Sequence, residues 1–260
     1  MIVKSVLLGI IQGLTEFLPV SSSGHLVLFR ELLQIKTDNL FMEISMHFGS
    51  LLALIIYFRA RILGLIGGGY REITQKRGEK SNLRFMGLVI VGMIPAVIAG
   101  LFFKEHIENA FTSVIFTGIM FLVTGGIILI TKFISSQQGR IHIKSALIIG
   151  LMQVFALLPG ISRSGITISA GISAGVKRKH AADFSFFMAM PLILGSFIME
   201  LKEVSMQFEF YIITGIVSSL IASYIAIVIL YRLLESEHFY RFAYYLFPLG
   251  ILTIIYGIVR

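Results

Sequence analysis

The chain contains no cysteine, so neither a disulfide nor a thiolate-held metal can contribute to its fold or chemistry. Charge is scarce too: 14% of the residues are Asp, Glu, Lys or Arg, against 56% apolar. A water-soluble domain of 260 residues needs a far more polar surface. With a mean hydropathy of +0.89, the chain reads as an all-α polytopic membrane protein. One membrane domain, residues 1–260, is enough for this length. Acidic residues are the scarcer sign, leaving a net charge of +8. That excess does not call for a nucleic-acid partner, because basic residues in short loops of a membrane protein record its orientation. A cleavable signal is also lacking: the first apolar stretch runs into Glu16, Pro19 and a serine cluster with no cleavage site. Gly67-Gly68-Gly69, in the basic loop 59–84, lacks the Lys-Ser/Thr that completes a phosphate-binding loop.

What is abundant is long apolar segments. Six can cross a bilayer, at about 41–58, 84–103, 111–131, 181–199, 210–231 and 242–259. Pro95, Pro191 and Pro248 fall inside them and predict kinks. The remaining apolar sequence is written twice. Gly9-Ile10-Ile11-Gln12-Gly13-Leu14-Thr15-Glu16-Phe17-Leu18-Pro19-Val20-Ser21-Ser22-Ser23-Gly24-His25 is echoed by Gly150-Leu151-Met152-Gln153-Val154-Phe155-Ala156-Leu157-Leu158-Pro159-Gly160-Ile161-Ser162-Arg163-Ser164-Gly165-Ile166. Gly9/Gly150, Gln12/Gln153, Ser21/Ser162, Ser23/Ser164 and Gly24/Gly165 pair at an offset of 141, and only the prolines slip by one. A weaker echo pairs Glu43-Ile44-Ser45 with Asp183-Phe184-Ser185. Each motif joins two apolar arms, 2–18 with 24–35 and 145–158 with 166–176, too short to span about 30 Å of hydrocarbon comfortably. They read as re-entrant helix-turn-helix hairpins, with irregular backbone tolerated only where protein or water surrounds it.

Basic residues set the orientation. Placing the loops with Arg59, Arg61, Arg71, Lys76, Arg77, Lys80 and Arg84, with Lys132, Arg140 and Lys144, with Lys177, Arg178 and Lys179, and with Arg232 and Arg241 on one side gives fifteen there. Six lie opposite (Lys4, Arg30, Lys36, Lys104, Lys202 and Arg260), and the rich side is cytoplasmic. The opposite loops carry Glu105, Glu108, Glu200, Glu203 and Glu209. Each half, about 1–135 and 141–260, is then one hairpin plus three spans. An odd number of spans inverts the second half, so the hairpins approach from opposite faces and their tips can meet.

The polar groups that differ between the motifs carry the chemistry. An arginine within a membrane segment is costly, by roughly 2.5–3.5 kcal/mol on insertion scales. Arg163 sits between Ser162 and Ser164, before Gly165, at the expected start of a helix, where its fork and free N–H groups suit an anion. The alternative is a structural ion pair with Glu16. Glu16 in turn needs a cation, a metal or a proton, and can position a divalent cation or act as general base. Gln12, one turn earlier on the same face, either helps hold a metal or water or simply packs helices. Among Ser21, Ser22 and Ser23, one or two cap the next helix, and one, Ser22 first, is a candidate nucleophile or phosphate ligand. His25 is a candidate acid, base or nucleophile, or else a hydrogen-bonded core histidine. His47 is left open, and Glu43 and Asp183, near span ends, read as structural.

The two motifs, with Gln12 to His25 and Pro159 to Thr167 as quoted and Gly92-Met93-Ile94-Pro95-Ala96 as a third stretch, resemble the undecaprenyl-diphosphate phosphatase, or bacitracin-resistance, family over the full chain. The resemblance implies a hydrolase of the bacterial cell membrane that converts undecaprenyl diphosphate to undecaprenyl phosphate and inorganic phosphate. It thereby recycles the lipid carrier for peptidoglycan synthesis, cell-wall biogenesis and cell shape, and confers bacitracin resistance. It implies a divalent cation, Mg²⁺ or Ca²⁺, held by Glu16 and Gln12. It places catalysis on Glu16, Ser22, His25 and Arg163. Substrate binding falls to Gln12, Ser21, Ser23, Ser162, Ser164, Gly165 and Thr167. The family's first acidic position is Gln12 here. The partners are the lipid substrate and membrane lipid, and a homodimer is allowed. The hairpin carrying Glu16 lies on the outer side by the charge rule, which favours a site open outward. The competing class is a transporter or flippase of the lipid carrier, since inverted repeats with broken helices are also a transporter's plan.

Overall fold

The structure is a computed structural model describing residues 1–32, 40–75, 80–135, 138–200 and 210–259. Lys36, Lys76, Arg77, Lys202, Glu203, Glu209 and Arg260 lie outside the described residues, as do the side chains of Arg30, Glu43 and Glu200. Within them the chain is α-helical throughout: α1 (Ile2–Phe17), α2 (Ser22–Leu32), α3 (Leu40–Thr74), α4 (Ser81–Phe102), α5 (Lys104–Ala110), α6 (Val114–Ile130), α7 (Ile143–Phe155), α8 (Arg163–Ser173), α9 (Arg178–Glu200), α10 (Phe210–Glu235) and α11 (Phe242–Val259). Six stretches are long and apolar enough to cross a membrane, on α3, α4, α6, α9, α10 and α11. At 1.5 Å per residue, α2 and α8 reach only about 17 Å. Large apolar side chains such as Ile90 and Leu101 on α4, Ile221 and Ile229 on α10, and Leu252 on α11 face outward, as a lipid-solvated surface requires.

The expected boundaries hold to within a few residues except at one place. Instead of a loop from residue 59, α3 continues to Thr74, carrying Arg59, Arg61, the glycine run and Arg71 within the helix. Its extension ends in a device that starts the next span. The Glu72 carboxylate accepts the backbone N–H groups of Asn82 (3.1 Å) and Leu83 (3.0 Å) and the Asn82 side-chain amide (2.7 Å). It thus satisfies orphan donors at the start of α4 and complements its positive end. The glycines cost helix propensity, but this tertiary contact outweighs it. Pro95, Pro191 and Pro248 lie inside helices, as anticipated.

The packing is reciprocal. In the first half α1 lies along α10 of the second; in the second half α7 lies along α4 of the first. α6 runs against α11, and α3 against both α9 and α10. The repeat-paired glycines do the same work in both places: a Cβ at Gly9 would collide with Ser218 and the Gly215 carbonyl (2.5 Å), and one at Gly150 with the Gly92 carbonyl. Small residues let helix backbones approach closely where lipid offers no hydrophobic drive. The core around the hairpins is aromatic, with Phe17, Phe121, Phe184, Phe186 and Phe239 fully buried. Asp183 is structural, as its position near a span end suggests: it accepts from Arg61 on α3 and from Tyr231 on α10, tying three long helices together.

Candidate active site

Both helix breaks are driven by proline, but they turn differently. Pro19 disfavours helix at the residue before it, and Leu18 is extended (φ −62°, ψ 142°) at the end of α1. The chain then reverses in four residues, with Ser21 forced to φ 69°. A left-handed serine stores strain of order 1–3 kcal/mol, the kind that surrounding structure must hold in place. The second break is longer. After α7 the backbone keeps turning, Leu157 N–H to Val154 O (3.2 Å) and Leu158 N–H to Phe155 O (3.1 Å). There the left-handed position falls on Gly160 (φ 91°), at no steric cost to a glycine. The one-residue slip between the prolines is this difference in turn.

The paired serines begin the second arms in the same way. Ser21 Oγ accepts the Gly24 N–H (3.2 Å) and lies 3.3 Å from Ser23 Oγ. Ser162 Oγ accepts the Gly165 N–H (3.1 Å) and lies 3.2 Å from Ser164 Oγ. These are N-caps, each worth about 1 kcal/mol. Thr167 Oγ1 is engaged with the Arg163 carbonyl (2.6 Å) and with Ser185 Oγ (2.6 Å). Of the residues expected to bind substrate, then, Ser21, Ser162, Gly165 and Thr167 shape and brace the helix starts.

The two breaks touch. Ser164 Oγ donates to the Leu18 carbonyl (3.3 Å), and Arg163 reaches across to Glu16, Nη2 to Oε1, at 2.9 Å. Glu16 is the hub. Its Oε2 accepts from Ser22 Oγ at 2.6 Å and from Gln12 Nε2 at 2.9 Å, and His47 Nδ1 stands 3.6 Å away. The Ser22 contact has the length of a charge-assisted O–H···O⁻ bond. The Glu16 side chain is 7% exposed and that of Arg163 16%, whereas His47 is 36% exposed and marks the open side of the cluster. Two buried polar atoms here have no partner among the described residues, Gln12 Oε1 and Arg163 Nη1. Buried polar groups are nearly always paired, so an orphan acceptor and an orphan cationic donor in one cluster point to a ligand.

Chemically, the arrangement is a hydroxyl bonded to a carboxylate that is itself held by a guanidinium. That is a nucleophile with an adjacent base, beside a cation whose fork has one free edge. Gln12, Glu16, Ser22 and Arg163 are thus assembled as the sequence suggested. His25 is not among them. It is buried, with Nδ1 donating to the Ser21 carbonyl (2.8 Å) and Nε2 accepting from Tyr245 (2.8 Å), stacked on the Tyr245 ring and edge-on to Phe121. Its direct partners brace the strained Ser21 turn. In its place the structure brings His47 from α3, whose Nδ1 lies 2.9 Å from Gln12 Nε2. Neither His47 nor Tyr245 belongs to a repeated motif, so no local pattern marks them.

The chain matches the family model described as bacitracin resistance protein BacA over residues 5–252. It is 40% identical to the undecaprenyl-diphosphatase of Halothermothrix orenii, an alignment covering 98% of this chain and 97% of the relative. It is 37% identical to that of Desulforapulum autotrophicum, covering 98% of each. With the undecaprenyl-diphosphatase of Methanosphaera stadtmanae the identity is 36%, over 99% of each chain. Together with six membrane-spanning helices and the crossed contact of two broken hairpins, a match of this extent places the protein in the bacitracin resistance protein BacA family.

Proposed function

We propose that this chain is an integral-membrane phosphatase that hydrolyses undecaprenyl diphosphate to undecaprenyl phosphate and inorganic phosphate. Family membership and the relatives' names support the substrate and the reaction. The observation that carries the mechanism is Ser22 and Arg163 bound to opposite oxygens of one buried carboxylate. Arg163 moves its free edge, Nη1, onto the terminal phosphate and offsets charge as it shifts in the transition state. Ser22 Oγ attacks the terminal phosphorus, its proton passing to Glu16. The anhydride P–O bond breaks and undecaprenyl phosphate leaves. Water then attacks the phosphoserine: the proton that Glu16 took returns to the departing Ser22 oxygen, and Glu16 takes the water's proton and releases it to solvent as inorganic phosphate leaves.

The donor set fits a divalent cation. One carboxylate and one unpartnered amide oxygen are hard oxygen ligands of the kind Mg²⁺ and Ca²⁺ take. No group of three His, Cys, Asp or Glu residues among the described residues forms a closed cage, so substrate phosphates would have to supply further oxygen ligands. Glu16 and Gln12 would hold the ion, which would polarise the phosphoryl oxygens. The halves form an inverted repeat, the chain lies in the bacterial cell membrane, and the site opens to the outer face. The fifteen basic residues assigned to the cytoplasmic side and the reciprocal packing of α1 and α7 support this arrangement.

The test is release of inorganic phosphate from the C55 lipid diphosphate by purified protein in detergent with Mg²⁺ or Ca²⁺, and by Ser22→Ala and Arg163→Ala. Turnover by the unaltered chain and its loss in both variants is expected. Detergent has no compartments, so a flippase would release nothing, and that result would overturn the reading.

A further inference from the structure

As a ligand to a cation, the Gln12 amide raises a problem that a carboxylate does not. Its two ends differ: Oε1 can face a cation and Nε2 cannot. Left free, the amide presents either. Here Nε2 is fixed between two acceptors. One of its N–H groups meets Glu16 Oε2 at 2.9 Å and the other meets His47 Nδ1, also at 2.9 Å. Turning the amide over would set Oε1 against the Glu16 carboxylate, two acceptors with no proton between them. With both donors engaged, Oε1 is left buried and without a partner among the described residues. Because an amide nitrogen can only donate, Nδ1 is the acceptor in this contact.

We propose that His47 is a positioning residue. By accepting the second amide proton of Gln12, it turns Oε1 toward the bound cation and lets a neutral amide serve where a carboxylate would otherwise be needed. This rests on the metal-bearing site proposed above. It follows a general pattern in which partners behind a metal ligand set that ligand's orientation. His47 reaches Gln12 from α3, on the open side of the cluster, and touches the site through the amide and through Glu16.

The experiment is a mutant cycle on the full-length purified protein. Mg²⁺ and Ca²⁺ binding is measured by calorimetry in the presence of inorganic phosphate, which stands in for the substrate phosphate in the ion's shell, alongside kcat and KM for phosphate release. His47→Ala should weaken the ion by about 10–100-fold, as loss of an orienting partner typically does. His47→Asn, whose Oδ1 can accept in place of Nδ1, should recover most of the loss. In the Gln12→Glu background, His47→Ala should change affinity and kcat within about two-fold, the mark of uncoupled sites. A carboxylate has no N–H to place. An equal loss in both backgrounds, or no rescue by asparagine, overturns the proposal and makes His47 a direct contact or a packing residue. If the unaltered chain binds no ion, the metal reading fails separately. The phosphate-release arm of the cycle then decides by itself whether His47 acts through Gln12.

Discussion

Arg163→Met is the perturbation that best separates a catalytic Arg163 from a structural one. The guanidinium makes a 2.9 Å bond to a carboxylate that is 7% exposed. Removing one member of a buried pair costs about 3–5 kcal/mol, mostly because the other charge stays behind. Glu16 retains Ser22 at 2.6 Å and Gln12 at 2.9 Å, so the loss belongs near the lower end, about 3 kcal/mol. Phosphate release should fall further than stability explains, by about 10²–10³-fold, because a preorganised donor aimed at transferring charge is lost. The double variant Glu16→Gln/Arg163→Met removes both charges. It should regain most of the melting temperature and none of the activity. Arg163→Lys, which keeps charge but not the fork, should fall between. Thermal melting and phosphate release are run on the same detergent-purified preparations. If Arg163→Met turns over within about tenfold of the unaltered chain, or if the double variant recovers both properties, the bridge is only a strut between hairpins.

Other expectations separate the serines, the histidine and the orientation. Ser22→Ala should abolish phosphate release with little change in melting, whereas Ser162→Ala should lower stability by about 1 kcal/mol, the value of an N-cap, and retain measurable turnover. His25→Ala removes the ring's bonds to the Tyr245 hydroxyl and to the Ser21 carbonyl, which keeps only the backbone N–H of residue 25 (3.2 Å). Its loss should appear as about 1–3 kcal/mol of stability, with turnover above that of Ser22→Ala at low temperature. A His25→Ala variant as stable as the unaltered chain but inactive would return His25 to the reacting centre. Ser23→Cys, in a chain with no other cysteine, should react in intact cells with a membrane-impermeant thiol reagent added outside. Labelling only in inside-out vesicles would reverse the orientation.

Much of this site is legible in the sequence because membrane chemistry makes polar residues conspicuous. Arg163 and Glu16 cannot be idle in an apolar hairpin, and the proline, serine and glycine spacing marks where each helix must stop. Six spans follow from hydropathy alone. What escapes is whatever depends on a partner distant in sequence. The end of α3 could not be read because Glu72 holds the helix to Thr74 only once α4 is present to be capped. His47 escapes because its role is fixed by Gln12, which lies 35 positions away. For His25 the sequence leaves two roles open for the same reason: it sits next to the motif in sequence, but its ring bonds to Tyr245 of the last helix.

The duplicated motif also predicts where chemistry is absent. Gln153 is the partner of Gln12 at the offset of 141, but Leu157 stands where Glu16 would, and Phe187 falls at the position matching His47 at an offset of 140. The groups that hold the Gln12 amide are therefore apolar in the second half. Gln153 is buried, and neither its oxygen nor its nitrogen has a partner among the described residues. A buried amide with nothing to bond is a liability, and replacing it with an apolar side chain of similar shape is typically neutral or stabilising. Gln153→Met should therefore leave the melting temperature unchanged or higher and preserve phosphate release, while Gln12→Met should lose turnover. The two substitutions are the same chemical change at paired positions, so any difference between them reports surroundings rather than residue type. If Gln153→Met destabilises by more than about 1 kcal/mol, or silences the enzyme, the second glutamine has an unseen ligand of its own. The functional division between the halves, a carboxylate and hydroxyl on one and an arginine on the other, would then be incomplete.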